Sequence, residues 1–199
     1  MKLFIPYLSE LNSCLAHTVA TTDTGSVADI NSAILWHQRQ LQRIPGSINK
    51  QIIIGNGGSA AIASHMAIDY SKNGGIRSLS FNDSSLLTCL SNDFGYEHVF
   101  AEAIRIHALP GDLLVAISSS GQSKNILNAV TMAKSLGCQV LTMSGFQDDN
   151  PLRTAGHMNL YVPSDQYGFV EIAHLALLHA ALDLLMGWGK PSMLERQIV

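Results

Sequence analysis

Twice in this chain a short apolar run ends in a cluster of small residues and then passes into a helical pattern. The first is Ile52-Ile53-Ile54 followed by Gly55-Asn56-Gly57-Gly58-Ser59. The second is Leu113-Leu114-Val115-Ala116-Ile117 followed by Ser118-Ser119-Ser120-Gly121-Gln122-Ser123. An uninterrupted apolar run of this length predicts a strand covered on both faces, as in a parallel sheet. Glycines let the chain turn sharply and let backbone N–H groups come close to a ligand. A helix start adds unpaired N–H donors and partial positive charge, which favour an anion. The hydroxyls of Ser118, Ser119, Ser120 and Ser123 donate without adding net charge. Such a loop suits reversible binding of a phosphate monoester.

The rest of the chain repeats this alternation. Strands are expected at 51–55, 77–81, 113–117, 139–143 and 158–162, and helices at 59–71, 84–91, 96–107, 124–136 and 168–187. Residues 7–44 read as helical, broken near Thr22-Asp23-Thr24-Gly25-Ser26 and ended by Pro45-Gly46. Pro110-Gly111-Asp112 reads as a turn into the third strand, and Gly137 as a helix stop before the fourth. Strand–helix alternation with apolar strands predicts an α/β fold with right-handed crossovers. Ligands of such sheets collect at the carboxyl ends of the strands, where both small-residue loops lie, so one pocket can use both. A dinucleotide fold fits less well. Its G-x-G-x-x-G pattern is half met, with Ala60 in the third glycine's place. No strand precedes residue 51, no acidic residue is placed for a ribose, and the Walker pattern is absent.

At 199 residues the chain is long enough for one domain with a substantial core. Apolar residues make up 47% and charged residues only 14%, which points to apolar surface buried between subunits. The net charge of −3 argues against a nucleic-acid partner. No run approaches about 18 uninterrupted apolar residues, so no membrane span is expected. Pro6 and Glu10 interrupt any signal-peptide core. Cys14, Cys89 and Cys138 are odd in number and far apart, and read as reduced thiols of a cytosolic protein.

Two groups of side chains can do chemistry. His65 and Asp69, four residues apart, share a helix face. Glu171, His174 and His179 crowd an otherwise apolar helical segment, where an ionisable group is costly to bury unless paired or metal-bound. Histidines and carboxylates serve as first-row metal ligands and as proton-transfer groups. His174 reads as an interface hydrogen-bonding group, and His65 and His179 as functional. Asp83-Ser84-Ser85 reads as a helix N-cap and Asn92-Asp93 as a helix end, both within reach of sugar hydroxyls.

On these residues the chain resembles the sugar isomerase (SIS) domain family, and within it the phosphoheptose isomerases. The resemblance is carried by GNGGSA (55–60), NDSSLLTCLSNDFGYEHVF (82–100), PGDLLVAISSSGQSKNI (110–126) and the 162–179 stretch with EIAHLALLH. It implies a flavodoxin-like five-stranded parallel sheet flanked by helices. Residues 1–199 would form one SIS domain, with N-terminal helices over 1–46 and an α/β core over 47–190. It implies a cytoplasmic homotetramer with active sites between subunits. The activity implied is isomerisation of sedoheptulose 7-phosphate to an aldoheptose 7-phosphate through an enediol.

By the same resemblance, phosphate contacts fall on Ser118, Ser119, Ser120 and Ser123, and sugar contacts on Asn56, Gly57, Gly58, Asn92 and Asp93. His65, Asp69, Glu171 and His179 hold one zinc ion per site, with Asp69, Glu171 and His179 as the acid–base set. Two of these depart from the family pattern: Asp69 stands for glutamate and Glu171 for glutamine. On one continuous helix, residues 171 and 179 lie about 12 Å apart along the axis. Glu171 is therefore expected either to precede the regular helix or to serve a different subunit's site. The alternatives are a non-catalytic SIS regulator, of the replication-initiation type, and an isomerase of another sugar phosphate.

Overall fold

The computed structural model describes residues 3–188. The outer ends of the expected domain division, residues 1–2 and 189–199, lie outside the described residues. All five expected parallel strands form: β3 (Gln51–Gly55), β4 (Ser78–Ser80), β5 (Leu113–Ser118), β6 (Gln139–Ser144) and β7 (Met158–Tyr161). They pair in the order β4-β3-β5-β6-β7. Between them run α3 (Gly58–Lys72), α4 (Ser84–Phe94), α5 (Val99–His107) and α6 (Lys124–Ser135), and α7 (Tyr167–Met186) follows β7.

The sheet has seven strands, not five. The segment read as helical over 7–44 is interrupted by a hairpin. α1 (Phe4–Ala16) gives way to β1 (Val19–Thr22) and β2 (Val27–Ala28) before α2 (Ile30–Leu41). β1 lies antiparallel to β7, with Val19 opposite Tyr161 and Thr22 opposite Met158. The physical reason is local. Thr18, Val19, Thr21 and Thr22 are β-branched and favour a pleated strand over a helix. Gly25, at φ +79°, turns the chain, and Thr22 N–H donates to the Ser26 carbonyl at 3.0 Å.

Strand residues alternate between two apolar layers, which explains the uninterrupted apolar runs. Ile53, Val115, Ile117, Leu141 and Leu160 pack against α2, α3 and α7 through Leu41, Ala63, Met66, Tyr70, Leu177 and Leu178. Ile52, Ile54, Leu114, Ala116 and Val140 face Phe100, Ile104, Ile126 and Val130 on the other side. Helix α7 is 20 residues long with a mean hydropathy of 1.7, long and apolar enough to cross a membrane. Here it is packed on the sheet by Val170, Ala173, Leu177, Leu178, Ala181 and Leu182, which are buried.

A buried carboxylate fastens the amino ends of the neighbouring strands β3 and β5. Asp112 is fully buried and accepts from Lys50 Nζ at 2.6 Å, from the Lys50 and Leu109 N–H groups at 2.9 and 2.8 Å, and from Asn49 Nδ2 at 3.1 Å. Removing one partner of a buried pair strands the other charge. Asp112→Ala should lose about 3–5 kcal/mol of stability, read as a lower denaturant midpoint at unchanged slope.

Two buried histidines give the fold an acid limit. Desolvation pushes His37 down to about 3. It pushes His174 down to about 4, opposed by a hydrogen bond to Ser144. Both values lie below the unfolded reference near 6.5, so the unfolded chain binds more protons across this interval. Stability is therefore full above about pH 6.5 and falls as the pH drops toward 4. Denaturant midpoints measured between pH 7.5 and 4.5 should decline, and the decline should shrink in a folded His37→Gln variant.

Candidate active site

The strand order reverses between β3 and β5, and the crevice at that switch point receives both small-residue loops. In register, Gly55 lies opposite Ile117. A side chain at Gly55 would reach within 2.6 Å of Ser59, so the tight turn into α3 requires glycine. Gly57 has φ +54° and ψ −121°, a conformation strained for any other residue. The two loops and the start of α7 enclose a cavity of about 250 Å³. It is lined by Asn56, Gly57, Gly58, Ser118, Ser119, Ser120 and Ser123, all selected from the sequence, and by Ser59, Ile117, Tyr167 and Glu171.

Helix ends around this cavity are open. Elsewhere, α2 and α4 are closed by the side chains of Asp29 and Asp83, while α1 and α5 begin without a side-chain cap. The three helices that begin at the cavity, α3, α6 and α7, have no side-chain cap. Ser118 Oγ donates to Ser123 Oγ at 3.2 Å, holding the serine loop closed on itself. Uncapped N–H donors beside buried hydroxyls form an anion-binding surface.

The two loops are tied by a reciprocal amide pair that the sequence reading missed. Asn56 Nδ2 donates to Asn125 Oδ1 at 3.0 Å, and Asn125 Nδ2 donates to Asn56 Oδ1 at 2.9 Å. Tyr96 O–H donates to the same Asn56 oxygen at 2.8 Å. Asn56 therefore spends its amide on positioning the loops. The signal was an asparagine at the start of α6, which is buried only because it has this partner.

Further along the same helix pair lies a second polar group. α3 and α7 run alongside each other, held by Tyr70 O–H donating to the Leu178 carbonyl at 2.9 Å. His65 Nε2 is 3.4 Å and His179 Nε2 is 4.0 Å from Asp69 Oδ2. One ligand atom from each of the three lies within 4.8 Å of the others. Bonds of about 2 Å to one ion keep ligand atoms within about 4 Å of each other, so these three side chains could hold a metal ion after a small adjustment. The shorter Asp69 still reaches both histidines.

Comparison with known proteins agrees with this geometry. Residues 47–145 match the model of the SIS domain. A phosphoheptose isomerase of Helicobacter pylori (strain HPAG1) is 37% identical over 142 residues, covering 68% of this chain and 73% of that protein. One from Geotalea daltonii is 34% identical over 146 residues, covering 70% of this chain and 76% of its own. The chain belongs to the phosphoheptose isomerase family. The solved phosphoheptose isomerase of Neisseria gonorrhoeae superposes with a TM-score of 0.78 at 25% identity, covering 92% of this chain and 98% of that one.

Three residues that the family pattern selects sit differently here. Glu171 lies inside α7, two turns before His179, so it does not precede the regular helix. It is outside the His65–Asp69–His179 group, and its carboxylate lies against Gly58, where any side chain would collide with it. Asn92 and Asp93 are exposed on α4, where Asn92 Nδ2 donates to Asp93 Oδ1 at 2.9 Å, and neither lines the cavity. His174 is fully buried and donates from Nε2 to the Ser144 carbonyl at 3.1 Å, the hydrogen-bonding role expected of it.

Unlinking the loops should damage binding before chemistry. Asn125→Ala is expected to cost about 1–3 kcal/mol of stability, because the Asn56 amide loses its partner. In turnover assays with a sugar phosphate it should raise KM by a larger factor than it lowers kcat.

Proposed function

We propose that this chain isomerises sedoheptulose 7-phosphate to an aldoheptose 7-phosphate. The observation that carries the reading is a serine loop opening on the same cavity as the starts of α3 and α7, with a His–Asp–His group further along those two helices. From Gly58 to His65 the rise along α3 is about 10 Å, comparable to an extended sugar phosphate. The phosphate docks on Ser118, Ser119, Ser120 and Ser123 and supplies binding energy remote from the reacting carbons. The carbonyl end then reaches the His65 side of the group, where Asp69 Oδ2 lies 3.4 Å from His65 Nε2.

Asp69 takes a proton from C1, and the electrons move into a C1–C2 double bond, leaving negative charge on O2. Protonated His179 gives its proton to O2, then takes the proton of the 1-hydroxyl as C1 becomes the carbonyl, and Asp69 returns the carbon-bound proton to C2. The product carries an aldehyde at C1. His65 holds the Asp69 carboxylate in place from the preceding turn of α3. His65, Asp69 and His179 would hold a zinc ion, which supplies Lewis-acid polarisation of the carbonyl when bound. The second carboxylate oxygen and the second nitrogen of each imidazole stay available to the proton.

We further propose a homotetramer in which the site is completed by a neighbouring subunit. Phe4, Ile5, Tyr7 and Leu8 on α1, Ile68 on α3, and Ile172 and Leu184 on α7 are exposed apolar side chains. His65, with a half-exposed side chain, stands three residues from the exposed Ile68 on α3 and so shares its face. Asn92 and Asp93 are exposed and so free to reach the site of another copy.

Proton NMR of the chain with sedoheptulose 7-phosphate should show aldoheptose 7-phosphate forming. Activity should fall after dialysis against a chelator and return with zinc. His179→Ala should lower kcat by about 10²–10⁴-fold with sugar-phosphate binding retained. Binding without turnover in the wild-type chain would instead favour a regulatory sugar-phosphate module. Unchanged turnover in His179→Ala would remove that residue from the mechanism.

A further inference from the structure

We infer that the Glu171 carboxylate is an internal occupant of the anion cradle, so that a phosphate group enters by displacing it. The inference rests on the phosphate reading of the cavity and adds a residue that sets its affinity. Among the residues lining the cavity, Glu171 alone carries a charge, and no lysine, arginine or histidine is present to offset it. A side chain built at Gly58 would collide with both Glu171 carboxylate oxygens, which places them directly over the first residue of α3. That helix start has no side-chain cap. The position is where a helix draws negative charge.

The ion pairs among the described residues involve Asp112, Asp69 and Glu102, and none involves Glu171. Its charge is therefore directed at the cavity and not neutralised elsewhere in the described chain. A phosphate dianion arriving at the serine loop meets a carboxylate competing for the same end of α3, and like charges at this range repel. Glu171 is anchored on a rigid helix, but its side chain is only partly buried and has three rotatable bonds to swing away. The expected consequence is a cradle that grips phosphate weakly and releases it fast. Gly58 is part of the same device, because it gives the carboxylate room.

The test is calorimetric titration of the full chain with inorganic phosphate at low ionic strength, comparing wild type with Glu171→Gln and Glu171→Ala. Glutamine keeps the size and removes the charge, and alanine removes both. Circular dichroism melts establish that each variant is folded, and Glu171→Asp serves as a charge-retaining control. Both neutral variants should bind phosphate about tenfold tighter or more, a difference of about 1.4 kcal/mol. The gap should narrow as salt is added, while Glu171→Asp stays near wild type. Equal or weaker phosphate binding by Glu171→Gln and Glu171→Ala overturns the inference and leaves the phosphate reading standing. Absence of phosphate binding in every form, neutral variants included, overturns the phosphate reading and the inference with it.

Discussion

Parallel pairing of β3 with β5 determines where every other part of the site lies. Because these strands are neighbours in space but separated in sequence by α3, β4, α4 and α5, their following loops emerge side by side at one rim. Helices α3 and α6 must then leave the sheet on opposite faces, since α3 packs in one apolar layer and α6 in the other. The gap between their diverging starts is the cavity. Its size depends on two glycines that admit what L side chains would block, Gly55 against Ser59 and Gly58 against Glu171. The Asn56–Asn125 amide pair then stops the two loops from moving independently.

α7 adds the length that a bound sugar needs. Running beside α3, it contributes one carboxylate at the cavity and one imidazole two turns later, so the helix pair spans from the cavity to the His–Asp–His group. Its inner face is fully committed to the core through Leu178, Ala181 and Leu182. Polar chemistry is therefore confined to the edges of the helix, where Glu171 and His179 are partly buried. His174 shows the alternative fate of a polar group on the inner face: fully buried, low in pKa and held by a backbone carbonyl.

The parallel core was legible because fully covered strands leave unmistakable apolar runs, as at Ile52–Ile54 and Leu113–Ile117, and because Gly137 and Asp83 mark helix ends by local chemistry. The hairpin at Val19–Ala28 was not read, although its threonines and Gly25 carried the signal, because a break in a helical pattern and a short turn look alike over so few residues. The serine loop was legible from its small residues after an apolar run, and the His65–Asp69 pair from its spacing on a helix face, while His179 joined them only through the family resemblance. The Asn56–Asn125 pair was not, because it joins residues from separate loops, and only the strand order brings those loops together. The position of Glu171 was only half legible. Spacing along α7 argued against sharing an ion with His179 within one regular helix, but the available space at Gly58 is a tertiary fact.

The Asp112 hub sits at the amino ends of β3 and β5, and the loops that line the cavity at their carboxyl ends. The length of the strands separates the part that holds the chain together from the loops that shape the cavity. Heat tolerance and cavity shape are thus written at opposite poles of the same two strands. A lineage of this chain can drift in one property while the other is held constant by selection.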